Sequence, residues 1–458
     1  MPPARSPARL TAALAGALLA SAACSTGTRG SLPEAPVVVR DTTQPPGEMP
    51  LPWTIDEVAP APDASLDIGQ PVRIALARGE RRVVISATGE WRLYDSGGES
   101  TLLRAAAGEM WTVEAQRGAL RAVGADGVVM SLRPAPFVAR PAVQGSFITV
   151  DGKSYRGEVW FFADGEGVTA VNRLAMENYL RGVVPLEIGN RAQSERAAVE
   201  AQAVAARSYA YTHLAPSATR LYDMVATVMD QVYGGVKAET PISDAAVAAT
   251  VGLVLTYRGV VVNAPYHSTC GGRTARASEV WPRSGDEPYL VPVSDRIPGT
   301  DRYYCDISPR FSWTRTFTEQ ALRSALDRYL RNYASVPRGG PGRPEAVKVA
   351  SHTPSGRVRD LVITTDRGRY TLRENDIRFV LRSSSGEILN STYFSVDEKR
   401  NGGARGRLSS LVVRGSGYGH GIGMCQWGAI GRARAGQDFR EILRTYYPGT
   451  VVTVMSGD

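Results

Sequence analysis

One segment, LAMENYLRGVVPLEIGNRAQSERAAVEAQAVAARSYAY, limits more strongly than any other what this chain can fold into. Its first part predicts a short helix over residues 174–181, and its second part predicts a long Ala-rich helix from about Ser194. Proline disfavours helical conformation at the preceding residue and has no N–H to donate. Pro185 therefore predicts an extended break between the helices, with Glu187 in the turn that follows. A carboxylate at such a turn is held by the backbone.

The Ala-rich helix explains how that turn is fixed in place. Mostly small residues recur along it at steps of three and four, and they share one face: Ala197, Ala198, Ala201, Val204, Ala205 and Tyr209. A face of this kind allows a helix to approach its neighbours closely. We therefore expect Glu187 to be anchored beside a buried helix.

A series of motifs then connects the chain with a known family. In chain order they are ENYLRGVVPLE, EAQAVAARSYA, DQVYGG, STCGGRT, SEVW, GYGHGIGMCQWGA and ILRTYYPGT. Together they closely resemble the SpoIID/LytB domain of the stage II sporulation protein D family, over roughly residues 145–452. That family includes lytic transglycosylases, which cut peptidoglycan glycan strands, and a LytB branch described as modifiers of cell-wall amidases.

The first residues predict export. Arg5 and Arg9 precede an apolar run at 10–20 that is too short to span a bilayer, and small residues lead into Cys24. Residues 1–24 are therefore interpreted as a signal peptide. Lipidation of Cys24 is favoured over ordinary signal-peptidase cleavage, because a Ser/Thr/Gly tether follows it. The sequence predicts a periplasmic or cell-envelope protein that is anchored to the membrane by this lipid.

The remaining chain predicts an α+β fold with several parts. Residues 25–65 are rich in proline and predict a flexible tether, and residues 66–140 alternate apolar and polar positions and predict a small all-β accessory domain. The SpoIID/LytB domain would occupy residues 145–455. The net charge of +8 is spread thinly and lacks Lys/Arg runs, so a nucleic-acid partner is not expected.

Glu187 is the predicted catalytic residue. From the sequence alone, a structural role is favoured, in which it caps the following helix or pairs with an arginine. The resemblance implies instead that it protonates the glycosidic oxygen and then takes the proton of the sugar's C6 hydroxyl, which closes on C1 to give a 1,6-anhydro end. That use needs a raised pKa, which partial burial among apolar neighbours would supply.

Four further residues are candidates for substrate binding: Arg207, Tyr233, His420 and Gln426. Arg207 would hold acyl or carboxylate groups, or else pair with Glu187 or a backbone carbonyl. Tyr233 would stack on a sugar ring or belong to the core. His420 and Gln426 lie on a segment with glycine at every second position, which lets a backbone approach a ligand. The alternative for His420 is a hydrogen-bonded structural histidine.

The cysteines beyond Cys24 allow two interpretations. In an exported protein a Cys270–Cys305 disulfide that leaves Cys425 free is the simplest. The resemblance suggests a zinc site as the rival, since some family members are reported to bind zinc in this region. Its ligands would be His267, Cys270 and Cys305, with Cys425 as a further candidate. No cofactor is required for the predicted cleavage.

Two functions follow from these patterns. The first is an exported lytic transglycosylase that acts on peptidoglycan glycan strands through Glu187. The second is a LytB-like module that binds glycan and stimulates a partner amidase without cutting. A thiol hydrolase that uses Cys425 and His420 is disfavoured, because no clear orienting acid follows them.

Overall fold

The computed structural model describes residues 71–95, 100–165, 167–214, 220–281, 285–403 and 406–455. The expected signal peptide, the lipidation site Cys24 and the tether at 25–65 lie outside these residues. None of the helices within them is both long enough and apolar enough to cross a bilayer. The described residues belong to one compact unit.

Strands come first in the chain. They are β1 (Val72–Glu80), β2 (Arg82–Ala87), β3 (Trp91–Tyr94), β4 (Thr101–Ala105), β5 (Trp111–Gln116), β6 (Ala119–Gly124), β7 (Arg133–Pro134), β8 (Phe137–Pro141), β9 (Ile148–Val150), β10 (Lys153–Tyr155), β11 (Glu158–Asp164) and β12 (Gly167–Leu174). In β3 the buried Trp91 and Leu93 alternate with the partly exposed Arg92 and Tyr94. This period of two is typical of strands with one face on a core.

Helices and further strands follow. They are α1 (Met176–Ile188), α2 (Arg196–His213), β13 (Met224–Val225), α3 (Pro241–Ala249), β14 (Leu253–Tyr257), β15 (Val260–Val261), β16 (Tyr266–His267), β17 (Ser312–Thr318), α4 (Glu319–Tyr329), β18 (Pro344–His352), β19 (Val358–Thr365), β20 (Gly368–Arg373), α5 (Asp376–Val380), β21 (Phe394–Asn401), β22 (Arg407–Ser416), β23 (Met424–Cys425), α6 (Gln426–Arg434), α7 (Phe439–Tyr446) and β24 (Val451–Val454). The expected α+β class is confirmed.

The N-terminal strands do not form a separate accessory domain. Among the described residues, β13, β1, β12, β11, β8, β3 and β4 lie side by side in one sheet, in that order. Val72 of β1 pairs with Leu174 of β12, and Ile74 pairs with Met224 of β13. The boundary expected near residue 140 therefore falls inside a shared sheet. Alternation in the sequence shows that one face of each strand is buried, but not what covers it.

The buried apolar side chains of the described residues form two hydrophobic cores. The first joins the N-terminal strands to the helices α1, α2, α3, α6 and α7. The second is built by the segment 313–413, around α4 and α5 and two three-stranded sheets, in the orders β17-β22-β21 and β18-β19-β20. The segment that carries Glu187 belongs to the first core.

Candidate active site

Glu187 lies in the last turn of α1, which is one continuous helix through Pro185. The predicted extended break is therefore wrong. Proline removes a single N–H so close to the helix end, and burial of most of α1 in the first core outweighs its local preference. The helix ends at Gly189, which has a φ of 81° and whose N–H donates to the Pro185 carbonyl at 3.1 Å.

The surroundings of Glu187 favour its protonated form. The side chain is partly buried, and its Oε1 accepts a hydrogen bond of 2.8 Å from the backbone N–H of Val232. Burial raises the pKa of Glu187 to about 7, although hydrogen bonds from Val232 and from the Gln426 side chain act in the opposite direction. A carboxyl group with this pKa holds a proton near neutral pH and can transfer it.

Gln426 contacts Glu187 directly through the side-chain hydrogen bond already described. Its Nε2 also lies 3.3 Å from the Oε1 of Gln202, a fully buried residue of α2. These amides connect Glu187 to the start of α6 and to α2. Gln426 is therefore placed to orient the carboxyl group. Its binding of sugar hydroxyls or acetamides stays a prediction.

Two tyrosines near Glu187, the buried Tyr179 and the half-buried Tyr266, are joined through a glutamine. The hydroxyl of Tyr179 donates to Gln231 Oε1 at 3.0 Å, and Gln231 Nε2 donates to the Tyr266 hydroxyl at 2.9 Å. Burial and the nearby Glu187 raise the pKa of both tyrosines well above the usual range, so both stay neutral. Sequence reasoning missed this series of hydrogen bonds, although Gln231 lies in the DQVYGG motif.

Arg207 does not face a cleft. It is fully buried in α2 and donates to both carboxylate oxygens of Glu177, at 2.6 and 2.8 Å, and to the Leu253 carbonyl at 3.0 Å. The predicted contact with substrate is contradicted, because the guanidinium has no exposed surface. The alternative of pairing with a backbone carbonyl is confirmed. The ion pair joins α2 to α1, and the hydrogen bond to Leu253 joins α2 to β14.

Tyr233 belongs to the core rather than to a sugar-binding surface. Its side chain is buried, and its hydroxyl donates to Asn172 Oδ1 at 2.8 Å. Its ring centroid lies 5.8 Å from that of Tyr155 and 5.2 Å from that of Tyr179. The predicted stacking on a sugar is therefore contradicted.

His420 is a hydrogen-bonded structural residue. Its Nε2 donates to the Tyr266 carbonyl at 2.9 Å, and its Nδ1 accepts from the Ile422 N–H at 3.1 Å. Burial, together with the neighbouring His267, holds its pKa well below the ordinary value. Because backbone groups occupy both ring nitrogens, neither is available for a sugar or for a thiol. The predicted sugar contact is contradicted.

The glycines around His420 bring the backbone close to the protein's own chain rather than to a ligand. β23 pairs in parallel with β16, His267 beside Cys425. A side chain at Gly423, where φ is 70°, would collide with the Pro265 carbonyl. Glycine is required there for both conformation and space.

The cysteines that were expected to form a disulfide are free and form a buried cluster. The sulfurs of Cys270 and Cys305 lie 3.5 Å apart, so they are not bonded. Cys425 is not isolated either: its sulfur accepts hydrogen bonds from the N–H groups of Cys270 at 3.1 Å and Gly428 at 3.3 Å. Donor atoms of Cys270, Asp295, Cys305 and Cys425 all lie within 4.8 Å of one another.

This donor set fits zinc. With Zn–S bonds of about 2.3 Å, two thiolates of a tetrahedral site lie about 3.8 Å apart, which is close to the 3.5 Å seen here. The predicted ligand His267 is not one of these four donors, but its Nδ1 lies 3.1 Å from the Ile422 carbonyl and its buried Nε2 has no hydrogen-bond partner among the described residues. A fixed imidazole with a free second nitrogen is the usual form of a zinc-binding histidine. The further candidate Cys425 thus lies within this donor set, and Asp295 is an addition to the predicted ligands.

The chain is similar to several known families and proteins. The family described as SpoIID, Stage II sporulation protein, matches residues 164–257, which include Glu187. A domain of unknown function, DUF8618, matches residues 300–423. An uncharacterized protein of Brachyspira hyodysenteriae is 28% identical over 383 residues, which are 82% of this chain and 91% of that protein.

Two relatives from Bacillus subtilis carry descriptive names. The amidase enhancer is 31% identical over 345 residues, which are 67% of this chain and 45% of that protein. The stage II sporulation protein D is 31% identical over 302 residues, which are 62% of this chain and 76% of that protein. Because so much of the latter is matched, and the motif region also matches the family, the chain belongs to the stage II sporulation protein D family.

Proposed function

We propose that this chain is an exported lytic transglycosylase that cuts peptidoglycan glycan strands and leaves 1,6-anhydro-muramic acid ends. A lipid on Cys24 would hold it at the membrane. The observation that carries the proposal is Glu187, a carboxyl group fixed at the end of α1 with a pKa raised to about 7 by burial. Membership of the SpoIID family supports a role at the cell wall.

One carboxyl group is sufficient for this reaction. Protonated Glu187 gives its proton to the glycosidic oxygen as the bond to C1 breaks. The resulting carboxylate takes the proton of the C6 hydroxyl, and the C6 oxygen bonds to C1. Glu187 is then protonated again, and water is not consumed. A hydrolase would instead use a second carboxylate to activate water or to attack C1.

Mass spectrometry of the products tests the proposal. Protein that lacks residues 1–30 is incubated with intact and with peptide-free peptidoglycan. Muropeptides that end in 1,6-anhydro-muramic acid are expected. Reducing ends alone would indicate a hydrolase, and the absence of release from either substrate would favour the second function.

The second function is a non-catalytic modifier of a cell-wall amidase that grips glycan. The similarity to the amidase enhancer favours it, although the chain spans less than half of that protein. It predicts that the protein increases the rate of a purified cell-wall amidase while releasing no anhydro ends by itself. Equal stimulation by wild type and by Glu187→Gln would support this function over the first.

The raised pKa of Glu187 predicts a pH dependence of cleavage. The acid must be protonated to act, so the rate is expected to fall as the pH rises through about 7.

The same raised pKa predicts a pH dependence of stability. The folded protein keeps a proton on Glu187 that the unfolded chain loses from about pH 4.5 upward, so the contribution of Glu187 to the free energy of unfolding decreases between about pH 4.5 and 7. Denaturation of wild type and Glu187→Gln across this range measures the effect. A stability difference that does not change with pH would contradict the raised pKa.

We also propose that the buried thiol cluster holds one structural zinc ion. Cys270, Cys305 and Cys425 would bind it, with Asp295 or His267 as the fourth ligand. Purified protein is expected to contain about one zinc per chain, and Cys305→Ser is expected to lose the metal and stability. Elemental analysis and thermal unfolding measure both, with His213→Ala as a control that removes a histidine outside the cluster. Metal-free wild type that is equally stable with and without added zinc would overturn this assignment.

A further inference from the structure

A groove lies along the second hydrophobic core, and its lining does not include Val232 or Gln426, the hydrogen-bond partners of Glu187. Its first part is an open depression of about 460 Å³. Aromatic side chains line it beside His352 and Arg414: Tyr303, Phe311 and Tyr393 are partly exposed, and Phe394 is buried. Ring faces beside charged and polar groups are the composition that sugar-binding surfaces require, because a sugar has apolar ring faces and polar edges.

The groove continues beyond this depression. A second part of about 560 Å³ shares His352 and Ser395 with the first and runs between β18 and β21, past Lys348 and Asp397. β18 and β21 are outer strands of two different three-stranded sheets. The space between them is therefore elongated, and it suits a chain-like ligand better than a compact one.

The aromatic rings of the groove are held in place by their neighbours. The ring centroids of Tyr303 and Phe311 lie 5.7 Å apart. The buried guanidinium of Arg357 lies 5.6 Å from the ring centroid of Tyr393 and supports that ring from within. Side chains that are already ordered lose little conformational entropy when a ligand binds.

Short segments connect the groove with the surroundings of Glu187. Tyr266 lies close to Glu187, and Gly271, five residues later, lines the groove. Even a fully extended chain of that length spans at most about 18 Å. The glycine-rich segment makes the same connection from Ser416 in the groove to Gln426 beside Glu187. A polymer of several sugar units covers such a distance.

We propose that this groove is a saccharide subsite that holds the glycan strand several sugar units away from the bond beside Glu187. The inference rests on the proposed glycan-cleaving function. The aromatic rings would contact sugar ring faces, and Arg414 and His352 would meet the acidic groups that muramic acid carries. The groove lies mostly within residues 300–423, the segment that matches a domain of unknown function.

Binding measurements in the Glu187→Gln background, where the strand stays uncut, test the subsite. The probes are soluble N-acetylglucosamine oligomers and peptide-free peptidoglycan strands, titrated calorimetrically against the otherwise complete mature chain. Phe311→Ala is expected to weaken binding of the longer oligomers about tenfold, and that of a disaccharide much less. If Phe311→Ala weakened the binding of short and long oligomers equally, Phe311 would not belong to a subsite remote from Glu187.

Arg414 allows a matched control. Its side chain is 56% exposed and lies 3.6 Å from Asp397, while that of Arg323 on α4 is 55% exposed and lies 3.9 Å from Asp327. Arg414→Ala is expected to weaken binding of peptidoglycan strands, and Arg323→Ala to leave binding unchanged. Equal effects of the two changes would contradict the subsite. Circular dichroism of each variant checks that it is folded.

The subsite and the proposed function can fail separately. If wild type cuts glycan but the groove variants bind long oligomers as the background protein does, the subsite is overturned and the enzyme stands. If wild type cuts no glycan but the groove variants lose oligomer binding, the groove is still a saccharide site. Binding of free stem peptides in preference to peptide-free strands would overturn the saccharide assignment.

Discussion

Replacing Glu187 with glutamine is expected to lower the rate of glycan cleavage by about 10²–10⁴-fold or more, while the protein still folds and binds glycan. Glutamine keeps the volume of the side chain and an oxygen that accepts the hydrogen bond from the Val232 N–H. It can neither donate a proton to the glycosidic oxygen nor take one from the C6 hydroxyl. The loss is large because one group serves both steps. The rate of anhydro-muropeptide release per folded molecule measures it.

A purely structural Glu187 would behave differently. If its role were to fix a helix end, the amide would cost roughly 0.5–2 kcal/mol of stability and leave turnover of the folded protein intact. Glu200→Gln on α2 is a suitable control, since Glu200 pairs with Arg196 at the helix surface. A Glu187→Gln variant that cuts glycan at a rate near that of wild type would remove Glu187 from the mechanism.

Replacing Arg207 with leucine is expected to destabilise the fold by about 3–5 kcal/mol, because it leaves the Glu177 carboxylate buried without its cation. The free energy of unfolding from urea titration measures this loss. Changing Arg196, whose ion pair with Glu200 is partly exposed, is expected to cost less than about 1 kcal/mol. The double variant Glu177→Leu/Arg207→Leu is expected to recover part of the lost stability.

The same variants test whether Arg207 binds substrate. If Arg207→Leu were as stable as wild type but bound glycan weakly, the guanidinium would have to reach the ligand. The buried position of Arg207, with its three hydrogen bonds to Glu177 and Leu253, would then not be the position it takes when glycan is bound. Binding is compared at a temperature at which both proteins are folded.

Sequence patterns located the candidate carboxylate but not its local structure. Pro185 predicted a turn that contains Glu187 before α2. Glu187 does lie near the end of α1, but within the helix, which continues through that proline. Local rules overstate the effect of one proline where burial of a whole helix opposes it. α2 was predicted from about Ser194 and begins at Arg196. Small-residue periodicity was reliable because it reflects packing itself.

Side-chain partners were the part that the sequence could not supply. Arg207 and Tyr233 occur in motifs, but spacing along the chain does not show whether a side chain points to solvent or to the core. The thiol cluster illustrates the same limit, since Cys270 and Cys425 are 155 positions apart and meet only because β16 lies beside β23. Asp295 had no local pattern that would mark it as their neighbour.

The pairing of β1 with β12 bears on how this protein could have evolved. A module joined only by a linker can be gained, lost or exchanged without altering the rest of a protein. Here the N-terminal strands provide hydrogen bonds along one side of the strand that leads into α1, so their loss would uncover unpaired backbone next to the helix of Glu187. A relative without an equivalent of β1 has to cover that strand by other means. Residues 72–141 and the SpoIID core are thus expected to have changed together.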